Sequence, residues 1–197
     1  MVSENTKIRE HYDVVIIGGG PAGSTCASLI RKYNPNVSVA VLEKARFPRD
    51  HVGESQLPGV SEVLHEMGAW DKVEAAGFPI KIGGSYTWGR DSSKWDFDFY
   101  PIERFVDEPR PAKYEGQRRQ TAFQVDRAIY DKILLDHASE LGTEVFEGCR
   151  VVSVNRDAAD PDSIESLSIR IADGQERSIR ATHYVDASGT AGIVRRA

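Results

Sequence analysis

Cysteine is scarce: the 197 residues hold only Cys26 and Cys149, and neither belongs to a CxxC pair. Two thiols are too few for a disulfide framework, and without paired spacing they suggest no metal or redox motif, so both are read as small buried hydrophobes. The histidines His11, His51, His65, His137 and His183 are scattered without ligand spacing, which leaves no metal site to assign. Lysine- or arginine-rich runs are also missing, and the formal charge of −5 denies nucleic acid an electrostatic footprint. No apolar run approaches the roughly 18 residues of a membrane-spanning helix, and the opening MVSENTKIREHYD lacks the apolar core of a signal peptide. The expectation is a cytoplasmic protein that engages neither nucleic acid nor membrane. What remains is an ordinary globular composition, 40% hydrophobic and 28% charged, in a chain that fits one domain, or one domain with an appended lobe, and is long enough to bury a real core.

Three zones follow one another without internal repeats. DVVIIG, Asp13 to Gly18, is a continuous apolar run of the kind a strand buried on both faces shows. Pro21 suits the first turn of a helix that continues through Ala22 to Lys32, and VSVAVLE, Val37 to Glu43, is the second buried strand. The second zone, Lys44 to Gln120, holds a helix over about Pro58 to Trp70 and then an aromatic, charge-rich, partly irregular stretch from Tyr86 to Arg119. The third opens with TAFQVDRAIYDKILLDHASELG, whose Ala128, Ile129, Ile133, Leu134, Ala138 and Leu141 recur at helical spacing, with Gly142 placed to end the helix. Short β-rich segments follow, with a hairpin signal at Asp173–Gly174 and a returning buried strand at YVDAS. The order predicts an α/β fold: a Rossmann-like βαβ domain with an appended antiparallel β-meander.

GGGPAG, Gly18 to Gly23, satisfies GxGxxG with Gly18, Gly20 and Gly23, a weak signal alone. Its context strengthens it, because it follows a buried strand, opens a helix, and is followed by a second strand ending in Glu43, about twenty residues further on. The first glycine makes the tight turn, the second lets backbone approach a pyrophosphate, and the third lets helix and strand pack closely. The helix N-terminus adds free N–H groups and a positive dipole end. Glu43 can accept both hydroxyl protons of an adenosine ribose. The motif alone does not decide between FAD and NAD.

Four spaced segments, YDVVIIGGGPAGSTCASLI, VAVLEKARFPRDHVGES, FQVDRAIYDKILLDHA and YVDASG, together resemble FAD-dependent oxidoreductases of the para-hydroxybenzoate hydroxylase-like superfamily. PRDHVGESQLPG and GFPIKIGGSYTWG look most like the flavin-dependent halogenases. The resemblance implies an N-terminal FAD-binding part, residues 1–197, incomplete relative to the family, with 86–120 as a substrate-side insertion. It places Gly18, Gly20, Pro21, Ala22, Gly23, Glu43 and Lys44 at the ADP half of FAD. Arg49 and Val52, Gly53, Glu54 and Ser55 would lie near the flavin and ribityl chain, Gln124 and Arg127 near ribityl and pyrophosphate, and Val152, Asp186 and Gly189 in the remaining cofactor contacts. Taken singly, Arg127 reads as a solvent-facing arginine at a helix start and Arg49 as a loop charge. GESQL lacks the second glycine of a nucleophile elbow, so Ser55 does not suggest a hydrolase.

Lys81 sits in PIKIGGS. If the segment is extended, Ile80 and Ile82 share one face and Lys81 points to the other, which on residues alone reads as water. The resemblance reverses that reading. It implies that reduced FAD, O₂ and halide form hypohalous acid, and that Lys81 hands the halogen to an electron-rich aromatic or heteroaromatic substrate. It also implies a flavin reductase partner supplying reduced FAD, and a small aromatic substrate that a carrier protein could present. The acidic, aromatic stretch from Ser92 to Pro109 could line an entrance or dock that carrier, though such stretches are more often surface loops. The family's Trp-x-Trp-x-Ile-Pro motif is not matched by Trp70, Trp88 and Trp95. An FAD-dependent monooxygenase or geranylgeranyl reductase-like oxidoreductase, and a noncatalytic FAD-binding module or split subunit, stand as alternatives.

Overall fold

The computed structural model of the chain describes residues 8–107 and 117–197. In chain order the elements are β1 (His11–Ile17), α1 (Pro21–Tyr33), β2 (Val39–Glu43), α2 (Gly59–Met67), α3 (Trp70–Ala75), β3 (Ile80–Lys81), β4 (Gly83–Thr87) and β5 (Lys94–Asp98). They continue with α4 (Gln117–Gln120), β6 (Ala122–Phe123), α5 (Arg127–Glu140), β7 (Glu144–Glu147), β8 (Arg150–Arg156), β9 (Ile164–Arg170) and β10 (Glu176–Asp186). The chain divides into two compact units, one of Met1–Arg49 with Leu134–Ala197, the other of Asp50–Ile133.

The first unit is built on a six-stranded sheet in the order β7-β2-β1-β10-β9-β8. β1 lies parallel to both β2 and β10, and β2 parallel to β7. The apolar run of β1 is buried on both faces because its side chains alternate between two cores. Val15 and Ile17 pack with Leu42, Phe146, Leu167 and Ile179, while Val14 and Ile16 pack with Ala27, Val41 and Leu135. β2 begins at Val39 rather than at the expected Val37. The Asp13 carboxylate accepts from the Ser38 N–H and hydroxyl at 2.7 and 2.6 Å, and Arg31 donates to the Val37 carbonyl, so these residues finish a turn. α5 ends as expected at Gly142, which adopts φ +94°.

The last arm of the meander and the returning strand, read as separate pieces from the sequence, are one continuous strand. The first part of β10 pairs antiparallel with β9, from Glu176 opposite Arg170 to Ile179 opposite Leu167. Its second part, from Ala181 to Asp186, runs parallel to β1. One strand thus joins the antiparallel and parallel halves into a single sheet.

In the second unit the predicted helix over Pro58 to Trp70 breaks in two. Gly68 takes a left-handed conformation, φ +84°, and its N–H closes α2 on the Leu64 and His65 carbonyls, so α3 starts afresh at Trp70. Ring contacts hold the interior: Trp70 meets Phe123 at 5.6 Å, and Phe78 meets Phe123 at 6.5 Å and Tyr130 at 6.2 Å. A buried ion pair, Arg118 to Glu74 at 3.2 Å, ties α4 to α3. The stretch expected to be partly irregular from Tyr86 contains the end of a hairpin, β4 with β5, on which Tyr86 stacks against Trp95 at 4.9 Å and Phe97 at 5.4 Å. Period-2 alternation in KWDFDF, aromatic against polar, is the signal that identifies this strand. Residues 108–116, which belong to the 86–120 insertion and include Glu108 and Pro109 of the acidic stretch, lie outside the described residues. Among the described residues no helix is long and apolar enough to cross a membrane, and no group of His, Cys, Asp and Glu could hold a metal ion.

Candidate functional site

The glycine loop leaves β1 with Gly18 at φ +105°, where a Cβ would stand 2.5 Å from the Ala187 carbonyl oxygen. A Cβ on Gly23 would stand 1.9 Å from the Gly18 oxygen, so the first and third glycines are demanded by backbone packing. Gly20 differs: the nearest heavy atom to a Cβ there is Nη2 of Arg49 at 3.6 Å, which leaves the middle of the loop open. Arg49 also lays its guanidinium over the Phe47 ring, 4.6 Å from the centroid. α1 opens at Pro21 with no side-chain cap and no acidic residue in its first turn, so its N-terminal N–H groups and dipole are not neutralised from within. Pro21 is half-buried, and Ala22 and Lys44 are exposed.

Glu43 is buried at the end of β2, where it accepts the Gly19 N–H at 2.7 Å and the Ala45 N–H at 2.8 Å. It therefore organises the glycine loop as well as offering oxygen lone pairs, a role the sequence reading missed. Ser24, also missed, closes the loop from the other side by donating its hydroxyl to the Gly19 carbonyl at 2.8 Å. Spacing alone does not reveal either contact.

Asp186 ends β10 opposite Ile17, so Gly18, just past β1, and Glu43 and Asp186, the last residues of β2 and β10, all lie at the C-terminal ends of parallel strands, where ligands bind in open α/β sheets. Asp186 accepts from the Ser188 N–H and hydroxyl and from the Val194 N–H at 2.8 Å. Burial raises its pKa, but those donors together outweigh it and hold the carboxyl below the usual range. Gly189 has φ +67° and open space where a Cβ would be. Val152 is 38% exposed at a bulge in the β8–β9 pairing.

In the second unit, Val52 to Ser55 is an exposed loop in which Gly53 adopts φ +101°. Arg127 is no free surface arginine. It makes a two-pronged ion pair with buried Asp131, at 2.7 and 2.9 Å, and donates to the Val52 carbonyl at 2.7 Å. Its pKa is raised, chiefly by that Asp131 hydrogen bond. The exposed Gln124 forms a bridge with Ser55, and the Glu54 carbonyl accepts the Val125 N–H at 2.9 Å.

Lys81 lies on β3, paired with Ala122 on β6. Its side chain does not simply enter water. Nζ donates to the Gln56 carbonyl at 2.9 Å and stands 5.1 Å from the centre of the Phe99 ring.

The first unit's open glycine cradle, the uncapped helix start and the buried acid at the next strand end fit the adenine-side half of a dinucleotide, and define a nucleotide-binding α/β protein. The chain belongs to the FAD binding domain family, which it matches over residues 11–197, and FAD is its cofactor. It is 46% identical over 151 residues to a 1H-pyrrole-2-carbonyl-[peptidyl-carrier protein] chlorinase of Pseudomonas fluorescens, covering 73% of this chain and 32% of that protein. It is 38% identical to a flavin-dependent halogenase of Armillaria mellea, covering 93% of this chain and 33% of the relative. Among solved structures, the myxobacterial chondrochloren halogenase, an FAD-dependent halogenase, superposes with a TM-score of 0.77 at 34% identity, covering 93% of this chain and 38% of that one. These findings bear out the resemblance to flavin-dependent halogenases and the α/β fold. The chain spans about a third of the length of the curated relatives it matches.

Proposed function

We propose that this chain is the FAD-binding part of a halogenase in which Lys81 hands electrophilic halogen to an electron-rich aromatic or heteroaromatic ring. The observation that carries the reading is the setting of Lys81: a half-buried amine, oriented by a backbone carbonyl and an aromatic face, in a chain whose relatives are halogenases. When bound, reduced FAD supplies the electrons that let O₂ and halide yield hypohalous acid, chemistry no side chain can perform. In the ring step a carbon–halogen bond forms, the halogen–oxygen bond breaks, and the ring proton leaves with the hydroxide as water. An ammonium at Lys81 donates to the hypohalous oxygen, which makes that oxygen a better leaving group.

On this reading Gly18, Gly20, Pro21, Ala22, Gly23, Glu43 and Lys44 hold the ADP half of FAD. The proximity of Arg49 to Gly20 supports a contact with the pyrophosphate charge. Val52 to Ser55, Gln124, Arg127, Val152, Asp186 and Gly189 complete the cofactor contacts. Because Arg127 is committed to Asp131 and Val52, its main contribution is to hold the Val52–Gly53 loop. Residues 1–197 form one FAD-binding domain with 86–120 on the substrate side, a reading the aromatic hairpin supports. The substrate class is a pyrrole or comparable ring, presented on a carrier protein as in the name of the Pseudomonas relative. A flavin reductase is the partner that supplies reduced FAD, in the cytoplasm.

The test combines the enzyme with a flavin reductase, chloride or bromide, and a carrier-bound pyrrole, with free phenol and indole as further substrates. Halogenated product that disappears in Lys81→Ala, while the protein still binds FAD and still reoxidises reduced flavin, is the expected result. Rapid reduction of bound flavin by NADPH without a reductase, with no halogenated product, would replace this reading with a reductase or hydroxylase.

A further inference from the structure

β3 is only two residues long, yet two other segments of the same unit close on its lysine. The Gln56 N–H donates to the Phe123 carbonyl at 3.1 Å, and Phe123 is itself the partner of Ile80, so Gln56 is held in register with β3. Its own carbonyl then takes the Lys81 amine. From the other direction, the Ile82 carbonyl accepts the N–H groups of Phe99 and Tyr100 at 2.6 and 3.2 Å, which brings the Phe99 ring back alongside Lys81.

The side chain of Gln56 turns toward the hydroxyl of Tyr130, a residue 3% exposed whose ring edge packs on Phe78. The Gln56 Oε1 is buried and has no hydrogen-bond partner among the described residues, which leaves the Tyr130 hydroxyl as a polar neighbour of that amide. Burial pushes the Tyr130 hydroxyl up to about 12, so it stays neutral at any working pH.

The geometry points to a holder for the reactive amine: Gln56, held in register by Phe123 and with Tyr130 beside its amide, and Phe99 are positioning residues for Lys81. The inference rests on the proposed role of Lys81. A lysine stem is long and flexible, and an amine that must meet a small, diffusible oxidant gains from having its rotamer chosen in advance. Of three ammonium donors, one goes to the Gln56 carbonyl and one side of the group faces the Phe99 ring, which leaves donor capacity for a ligand. Neither Tyr130 nor Phe99 needs to touch FAD or substrate for this.

Two variants test it, Tyr130→Phe, which removes only the hydroxyl, and Phe99→Leu, which removes the ring face but keeps apolar bulk. The first readout is independent of turnover: competitive acetylation of the FAD-loaded protein, followed by mass spectrometry, gives the labelling of Lys81 relative to exposed Lys94. Each variant is expected to raise that ratio about threefold, the scale of one net hydrogen bond or one cation–π contact. FAD absorbance and melting temperature should stay unchanged. The second readout is halogenation by the whole enzyme, where kcat should fall about tenfold at unchanged KM. An unchanged labelling ratio, or an unchanged kcat, in both variants overturns the inference. A change in only one overturns the role of the other residue. Lys81→Met separates this from the parent reading: if it still halogenates, the role of Lys81 fails whatever the labelling shows.

Discussion

The two units spend their apolar residues differently. In the first, the side chains of β1 and β2 are buried on both faces of the sheet, and Tyr33 and Val152 are its only large apolar residues described as exposed. In the second, Val52, Leu57, Trp88, Ile102 and Val106 are all more than 60% exposed, and Tyr86 and Trp95 stack on each other at the surface. The first unit's stability is spread over a continuous sheet. The second unit packs its rings with Leu64, Met67, Val73 and Val125 and encloses the Glu74–Arg118 pair, both partners of which are 0% exposed. A nucleotide frame gains from rigidity, because its loop must hold backbone N–H groups at fixed positions, whereas a surface rich in exposed rings suits contact with something else.

The sharpest way to break this contrast is Glu74→Ala, which takes from the buried Arg118 guanidinium its buried carboxylate, while the Asp107 carboxylate 3.4 Å away is exposed. Loss of one partner of a buried pair costs about 3–5 kcal/mol. Hydrogen exchange should show the loss concentrated in residues 59–75 and 117–123. A melting temperature equal to the parent's would mean that this pair does not hold the second unit together.

Next in size is Gly23→Ala in the first unit. The 1.9 Å approach to the Gly18 oxygen forces the loop to move, for about 1–3 kcal/mol, and should abolish FAD binding in a fluorescence titration. Retained affinity would show that the cradle is softer than its packing suggests.

The smallest effect expected is a pH dependence. Asp186 is depressed in the folded chain, so its contribution is present above the unfolded value of about 3.9 and is lost as pH falls through the folded value. The protection factor of the Val194 amide, its exchange relative to the intrinsic rate at each pH, should therefore fall below about pH 4 and stay flat from pH 5 to 8. A loss of protection already at pH 6 would assign the turn's stability to another group.

Much of the first unit was legible because its signals are local. Buried-strand composition, a glycine loop and a proline at a helix start act over a few residues, and they located β1, α1 and β2 to within two residues. The break at Gly68 was readable in principle, since a glycine inside a helical pattern is a candidate C-terminus, but apolar residues at helical spacing continue past it and hid the stop. The continuity of β10 was harder to see. Tyr184 to Ser188 reads as a returning buried strand and Glu176 to Arg180 as a hairpin arm of the meander, and only pairing with different neighbours makes them one strand.

For the site, the sequence by itself determined the residue types: three glycines at a strand–helix turn, an acid at the next strand end, and a lysine between two isoleucines. Those follow from backbone sterics and side-chain chemistry within short windows. Tertiary structure decided what each residue touches. It buried Glu43 on the Gly19 N–H, committed Arg127 to Asp131 and to the carbonyl of Val52, and set the Lys81 amine on a carbonyl 25 residues earlier in the chain. Such contacts carry no local pattern, because their energy is gained only when distant segments have already folded into register.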